Sequence, residues 1–509
     1  ASFYEKIKGV IDWREEHLLR KRAIERSLKR RIIFGQEKRE GMAESLTYEL
    51  IRGGHFPNDT IPESKITVVQ KLIDKYFYIL ENRPNRPSKS SFAKASEDKK
   101  KKELQEWLIE IASYELEKTL SPPAKEEALI EYMFGLIKEQ IKIRERTFTM
   151  AGITIEKMTE NEKNIQIYIA VQKALFKVDD SIICYNLLEK QYPGWNELSH
   201  SSLLLEIAQN IYSTKRKIEK ALYHPLAEKF YHLCEKYDTP YLILGDIIEK
   251  NPMKVKENFE KPEILEELIK KSYHKRVIRL KGVMRRAAIY TTLSIFITKI
   301  VLALSIEIPF DKFITGDFNY FSLGVNILFP PFLMFLLVAS VRPPKKENLQ
   351  RVIMEVMKLV FVKEKKDIYE IKIPKKRGKI LNTIILAIYS LAFFLSFGII
   401  IWVLQKLDFG TLSVIIFLLF LSMISFFGVK IRERSNELTI EKEKETFLST
   451  LFDLFTLPVV SVGRWFSKKL AKLNIALIIA ALIDMPFLSF VKFLEQWRYF
   501  LKEKKDKIH

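Results

Sequence analysis

Hydrophobic and polar positions divide this chain into two halves. Up to about residue 286, apolar residues recur at helical spacing among many charges. Ile24, Leu28 and Ile32 recur every four residues with Arg and Lys between them, which predicts a helix within 1–54, stopped at Gly53-Gly54. A second helix is expected from about Pro62 to Leu80, with Val68, Leu72, Ile73 and Phe77 on one face. Further helices are expected near 100–119, 122–145, 159–174, 178–191, 197–221, 225–237 and 241–250, with breaks at Pro193-Gly194, Pro225 and Pro240. Pro122-Pro123 suits a first helical turn, where missing amide hydrogens cost nothing. Thr159-Glu160-Asn161-Glu162 has capping-box spacing. Residues 83–99 read as a loop or insertion that separates a basic helical segment, 1–82, from a helical domain, 100–286. No strand-like alternation persists, so this half is read as all-α.

The second half changes character. Residues 318–341 form a run of 24 without one Asp, Glu, Lys or Arg, and 380–404 and 409–429 repeat the pattern. Each is long enough for the roughly 30 Å hydrocarbon core of a bilayer. A first span is expected at 287–306, interrupted by Lys299. The fold expected is a helical cytosolic region followed by a polytopic α-helical membrane domain of four spans, 287–429. Its loop at 342–379 holds thirteen Lys or Arg, whereas 307–317 holds three acids against Lys312. Lys and Arg are retained on the cytoplasmic side. The N-terminus, the 342–379 loop and the C-terminus are therefore expected inside a cell membrane, with two short loops outside. The tail, 430–509, carries short apolar segments at 448–462 and 473–494, with Asp453, Pro458, Asp484 and Pro486 among them. It reads as interfacial or re-entrant helices on the cytoplasmic leaflet, with Arg464, Trp465 and Trp497 as headgroup anchors; six spans is the alternative. The segment 351–362 reads either as a helix along the membrane surface or as a cytosolic packing helix.

Composition fits this picture. The net charge is +21, which in a membrane protein reflects retained Lys and Arg and attraction to anionic headgroups. The basic N-terminal helix lacks the aromatic interleaving of a nucleic-acid site, so its cations are expected on a solvated face or at headgroups. Residues 1–30 are charged throughout and lack a signal core, so the internal spans are expected to direct insertion. Cys184 and Cys234 are the only cysteines and read as buried thiols.

Candidate chemistry is sparse. There is no Gly-rich phosphate loop, nucleophile elbow or zinc-protease helix, so no catalytic residue and no cofactor is assigned. His224, His232 and Cys234 lack zinc-site spacing, and no metal is assigned. Asp179-Asp180 reads as a helix cap. A charge within a span is unusual, so Lys299 is the main candidate. Either it snorkels to the interface, or it pairs with an acid, Glu307 or Asp484, to lock helices or line a pathway. Asn326 with Pro330 and Pro331 is expected to break the second span. Such a break is either a packing kink or, beside a wet cavity, a solute site.

Several segments resemble a known family. They are Thr298-Lys299, Ala303-Leu304, Glu307, Pro309, Asn319-Tyr320, Leu323-Gly324-Val325-Asn326, Leu328-Phe329-Pro330-Pro331, Arg342-Pro343-Pro344 and, in the tail, Val462-Gly463-Arg464-Trp465 with Asn474 and Pro486. Together they resemble a family of uncharacterised multi-pass membrane proteins from candidate phyla radiation bacteria. The stretch 91–99 resembles a translated short genomic repeat of the same bacteria. The resemblance covers most of 280–500 and implies a bacterial cell membrane and a helical cytosolic region, but no activity. Two functions are expected to compete. One is a membrane-anchored scaffold whose helical region binds a partner. The other is an oligomeric small-solute transporter or channel using polar residues of spans 1 and 2.

Overall fold

The computed structural model describes residues 13–34, 39, 41–57, 61–84, 91–143, 148–150, 153–155, 158–198, 202–250, 252–316, 319–339, 346–361, 369–371, 378–435, 437–440 and 447–472. The described chain is helical almost throughout. The exceptions are four strands of three residues, in two two-stranded sheets. It falls into two compact units, Ala1–Ser272 with Leu349–Lys376, and Tyr273–Asn348 with Arg377–His509.

The first unit holds two cores. One gathers α1 (Trp13–Phe34), α2 (Met42–Arg52), α3 (Ser64–Glu81), α4 (Ser91–Leu120), α7 (Asp180–Gln191) and α8 (Ser202–Leu222). Helices before and after 83–99 thus share one core, and that stretch does not divide two subdomains. Nor is it all loop: α4 begins at Ser91. Ala, Lys and Glu are strong helix formers and extend the helix N-terminally from its buried part. The second core gathers α5 (Ala124–Gln140), α6 (Glu160–Phe176), α9 (Ala227–Lys236) and α10 (Asp238–Lys250). A short α11 (Val255–Glu260) follows. The face of α3 is rotated from expectation, with Val69, Leu72, Ile73, Tyr76 and Ile79 buried and Val68 exposed.

Local chemistry sets several boundaries. Thr159 and Glu162 form a reciprocal capping box at the start of α6. Asp179 caps α7, accepting from the Ile182 amide at 3.1 Å. Pro123 is the cap residue of α5 and lies before its first turn. Pro240 lies inside the first turn of α10 and does not break it, because early helical positions have no intrahelical amide bond to lose. Helix α5 stops at Gln140, and β1 (Ile141–Ile143) pairs in parallel with β4 (Tyr369–Ile371). The remaining pair, β2 (Phe148–Met150) and β3 (Ile153–Ile155), is antiparallel. These runs are rich in β-branched residues, which favour a pleated surface, but are too short for alternation to register.

Three cations of α1 are not on a solvated face. Arg20, Lys21 and Arg31 are buried. Arg20 Nε meets Glu117 at 3.0 Å, Lys21 Nζ meets Asp179 at 2.6 Å, and Arg31 meets Glu49 at 2.7 Å. Among the cations of this helix whose side chains are described, Arg22 and Arg26 are the exposed ones. Buried cations require partners, and tertiary packing supplies them from distant helices. Deeper still, Lys75 Nζ donates to Glu115 at 2.5 Å and to the Trp195 carbonyl at 2.9 Å. The other Glu115 oxygen accepts from Tyr76 at 2.5 Å and from the Trp195 indole at 3.1 Å. Burial lowers the Lys75 pKa, against the pull of Glu115. Cys184 and Cys234 are buried, and burial pushes the Cys184 thiol up to about 11.

The second unit contains most of the apolar sequence. Among the described residues, four helices are long and apolar enough to cross a membrane: the helix running over 262–313, α13 (Tyr320–Ala339), α15 (Lys379–Lys406) and α16 (Thr411–Ser435). The first of these begins as α12 (Pro262–Leu302), 41 residues without interruption. It continues through π-helical turns at Ala303–Glu307 and Asp311–Thr315, and Gly316 ends it at φ 74°. The acidic segment expected as an outer loop is therefore helical from Glu307 to Thr315. Helix α13 also differs from expectation: it runs unbroken through Pro330 and Pro331. The amphipathic α14 (Lys346–Phe361), most of which belongs to the first unit, buries Val352 and Val356 completely and leaves Met354 exposed. The tail helix α17 (Phe447–Lys472) packs on α15 and α16.

Candidate functional site

Three polar residues from two apolar helices meet inside the second unit. Lys299 Nζ donates to Glu307 Oε1 at 2.6 Å, and Asn326 Nδ2 donates to Glu307 Oε2 at 2.5 Å. Lys299 and Glu307 are 0 % exposed and Asn326 is 1 % exposed. The ammonium also lies 5.2 Å from the centre of the Phe420 ring of α16, within cation–π range. Lys299 is therefore packed inside the unit and does not snorkel. Of its two expected acids, Glu307 is the partner found, and Asp484 lies outside the described residues.

The helix is built to make this meeting possible. In a regular α-helix a residue eight positions on lies about 80° around the axis. A π-turn takes up one extra residue. With the π-turn at Ala303–Glu307, Glu307 takes the angular place of a seventh residue, about 20° from Lys299. Side chains lean toward a helix N-terminus, which brings the Glu307 carboxylate back toward the lysine. The second π-turn begins at Asp311, which accepts from Ser413 Oγ of α16 at 3.2 Å. Asp311 also lies against Gly410, where a Cβ would come within 2.9 Å of its carboxylate. A carboxylate at the start of α16 is favourably placed for that helix dipole. One helix thus sends two acids inward, toward α13 and toward α16.

Pro330 and Pro331 act on the same turn as Asn326. A proline has no amide hydrogen, so the carbonyls of Asn326 and Ile327 lose their i+4 donors. The Asn326 side chain is open as well. Its Nδ2 must face Glu307, because an ionised carboxylate only accepts. Its Oδ1 is buried and has no hydrogen-bond partner among the described residues.

A second polar junction was not expected from sequence. Asn348 Nδ2 donates to the Tyr273 hydroxyl at 2.9 Å and to the Leu438 carbonyl at 2.6 Å, while its Oδ1 accepts from the Ile440 amide at 3.0 Å. It joins the segment entering the first apolar helix, the segment leaving the second and the segment leaving the fourth. Nothing in the local sequence around Asn348 signals this, since its partners are 75 to 92 residues away.

The other candidates are placed as follows. Arg464 and Trp465 lie on the exposed side of α17, and Lys469 is 5.9 Å from the Trp465 ring. The opposite side of α17 reaches the middles of two apolar helices. Ser396 Oγ donates to the Phe455 carbonyl at 2.8 Å, and a Cβ at Gly463 would overlap the Ser422 carbonyl. Trp497, the 473–494 segment and Arg342-Pro343-Pro344 lie outside the described residues. His224 caps its own turn, accepting from the Leu226 amide at 3.2 Å, and His232 pairs with Glu228 and Glu235. No metal-binding group of acids, histidines and cysteines occurs among the described residues. No family model, curated protein or solved structure matches this chain.

Proposed function

We infer that this is a multi-pass protein of a bacterial cell membrane that anchors a helical, cytoplasm-facing region, and that this region binds a partner. The observation that carries the reading is one of parity. Pairing of β1 with β4 requires the N-terminal region and the segment after the second apolar helix to lie on one side of a membrane. The Asn348 junction requires the same of segments before the first, after the second and after the fourth apolar helix. Four crossings are consistent with both, and the Lys and Arg counts favour the cytoplasm as that side. The bacterial source rests on the family resemblance alone. The partners expected are anionic headgroups, another protein or a second copy of the chain, and nucleic acid is not favoured. Labelling of single-cysteine variants in intact cells tests the arrangement. A membrane-impermeant maleimide is expected to reach Asp408→Cys and to spare Lys430→Cys, and the reverse pattern would sink it. Purification from native membranes tests the binding role, which fails if no protein or lipid is reproducibly recovered.

A second reading, an oligomeric transporter or channel, is favoured by the Lys299–Glu307–Asn326 cluster. Intramembrane ionisable groups and backbone freed by proline are features of solute pathways. Flux measurements on reconstituted protein separate the two readings. Solute movement abolished by Glu307→Gln supports transport, and no movement of any ion or small solute leaves only the anchoring role.

A further inference from the structure

Helix α12 enters the apolar half of the chain without a loop, so its cations stand at heights fixed by the helical rise. Residues 275–286 hold six Lys or Arg, and no Asp or Glu occurs from Leu268 to Ile306. At about 1.5 Å per residue, Arg285 lies about 3 Å and Lys281 about 9 Å before the start of the apolar run at Ala287. The headgroup layer of a bilayer is about 5–8 Å deep on each side. Its charge is felt for about 8 Å more. Both cations are therefore within reach of its phosphates.

The exposed surface of α12 follows the same order. Lys281, Arg285, Ile289, Leu293, Ile297 and Val301 form one row at four-residue spacing, and every member is exposed. Residues so spaced are neighbours on a helix surface. The row passes from two cations to four apolar side chains without a break, and Tyr290, 68 % exposed, stands beside the change. Aromatic residues with a polar tip favour that boundary. The apolar part, 289–301, is about 18 Å long, against roughly 15 Å for the hydrocarbon of one leaflet. Gly282 lies beside the two cations. Apart from its chain neighbours and its own helix backbone, a Cβ there would meet only Arg286 Nη1, at 3.7 Å. The backbone is thus open to close approach in the turn that carries the cations.

We propose that this row is a binding site for one anionic phospholipid, with the phosphate at Gly282, Lys281 and Arg285 and an acyl chain along Ile289 to Val301. Guanidinium matches the geometry of a phosphate. A zwitterionic headgroup brings an ammonium that both cations repel, so the charge selects an anionic lipid. The apolar continuation of the row selects a lipid over a free phosphate. No acid nearby competes for the cations: α13 carries no Asp or Glu, and Glu433 of α16 is answered by Lys430 at 3.0 Å. The proposal deepens the reading above and rests on it, since it needs α12 to cross a membrane from Ala287 onward.

The test is lipid retention. The full chain is reconstituted in vesicles of phosphatidylcholine and phosphatidylglycerol, extracted in mild detergent, and the lipid it keeps is counted. Phosphatidylglycerol is expected to be enriched over its share in the vesicles. Lys281→Gln and Arg285→Gln, both at exposed positions, are each expected to weaken its retention about fivefold. Gly282→Leu keeps every charge and is expected to weaken it as well. Retention unchanged in Gly282→Leu would mean a diffuse attraction to the membrane surface and would overturn the site. Excess inorganic phosphate is expected to leave the lipid in place, and release by phosphate would overturn the lipid assignment. Equal retention of the two lipids by wild type overturns the proposal and leaves the membrane crossing intact. A chain that fails to enter vesicles of either lipid would sink the crossing itself, and the proposal with it.

Discussion

Two buried Lys–Glu pairs can be set side by side. Lys75–Glu115, in the helical unit, and Lys299–Glu307, among the apolar helices, are closed at 2.5 Å and 2.6 Å and almost entirely hidden. Their surroundings differ. Every oxygen of Glu115 has a donor, from Lys75, Tyr76 and the Trp195 indole, and Lys75 has a second acceptor and lies 4.7 Å from the Trp195 ring. Around Glu307 the donors are Lys299 and Asn326, and Asn326 is left with a bare oxygen. Both carboxylates are filled, but the network around Glu115 closes on itself and the one around Glu307 ends on an open acceptor of Asn326. A saturated network specifies a core. An open-ended one keeps capacity for a further donor.

The largest expected effect comes from breaking the saturated pair. Glu115→Leu strands the Lys75 charge and leaves the Tyr76 and Trp195 donors unpaired. It is expected to cost about 3–5 kcal/mol, as when one partner of a buried pair is removed. The double change Lys75→Met with Glu115→Leu is expected to recover most of that loss, since apolar replacement of a whole buried pair is often neutral. Chemical denaturation of the two variants checks this. If the double variant is no better than the single, the pair contributes through its network and not only by mutual neutralisation.

The same experiment on the other pair sharpens the contrast. Glu307→Leu is expected to cost roughly 2.5–3.5 kcal/mol, the scale of one unpaired charge inside a span. Fewer groups depend on Glu307 (Lys299 and Asn326) than on Glu115, which holds Lys75, Tyr76 and Trp195. Equal losses for Glu115→Leu and Glu307→Leu would erase the distinction drawn between them.

The two asparagines offer a finer comparison. Asn348 uses both ends of its amide, and Asn326 uses one. Asn348→Leu strands a hydroxyl, a carbonyl and an amide, with an expected cost of about 1–3 kcal/mol. Asn326→Leu is expected to cost less, because it also removes an unsatisfied oxygen. The order of the two Tm values decides, and a larger loss at Asn326 would mean that its open oxygen is filled by a strong ligand.

How much of this was legible in the sequence follows the range of the interactions. Helices and apolar runs announce themselves by local periodicity, so the all-α character and the four long apolar helices could be read directly. Lys299 stood out because a charge in an apolar run is rare, and Glu307 was within reach along the same helix. The place of Asn326 beside Glu307 depends on how two helices pack, and the π-turn that aligns Glu307 has no sequence mark. Pro330 and Pro331 pointed to a break, yet neighbouring packing carries the helix through them. The cations of α1 looked solvent-facing because their acids come from 97 and 158 residues away. The strand Tyr369–Ile371 gave no sign in the sequence because its pairing partner, β1, lies in the N-terminal half.

The smallest expected effect concerns pairs at the margin of burial, which lie between the two extremes. Glu49 and Asp179 answer cations of α1 but keep part of their side chains in water. Burial alone would raise both pKa values. At Glu49 the hydrogen bonds from Ser27 and Arg31 and the charges of Arg31 and Arg30 outweigh it. At Asp179 the charge and hydrogen bond of Lys21, with Ser181 and the Ile182 amide, do the same. Both carboxyls are thus held below their usual range in the folded chain. Between the folded and unfolded values the unfolded chain binds more protons, so stability falls as pH falls. Their contribution is complete above the ordinary carboxylate range and is expected to drain away below about pH 4. Asp179→Asn should flatten part of that acid limb in a Tm-against-pH series while leaving Tm near neutrality lower than wild type. An unchanged acid limb would show that solvent already screens this pair, and would place it with surface ion pairs instead of with Lys75–Glu115.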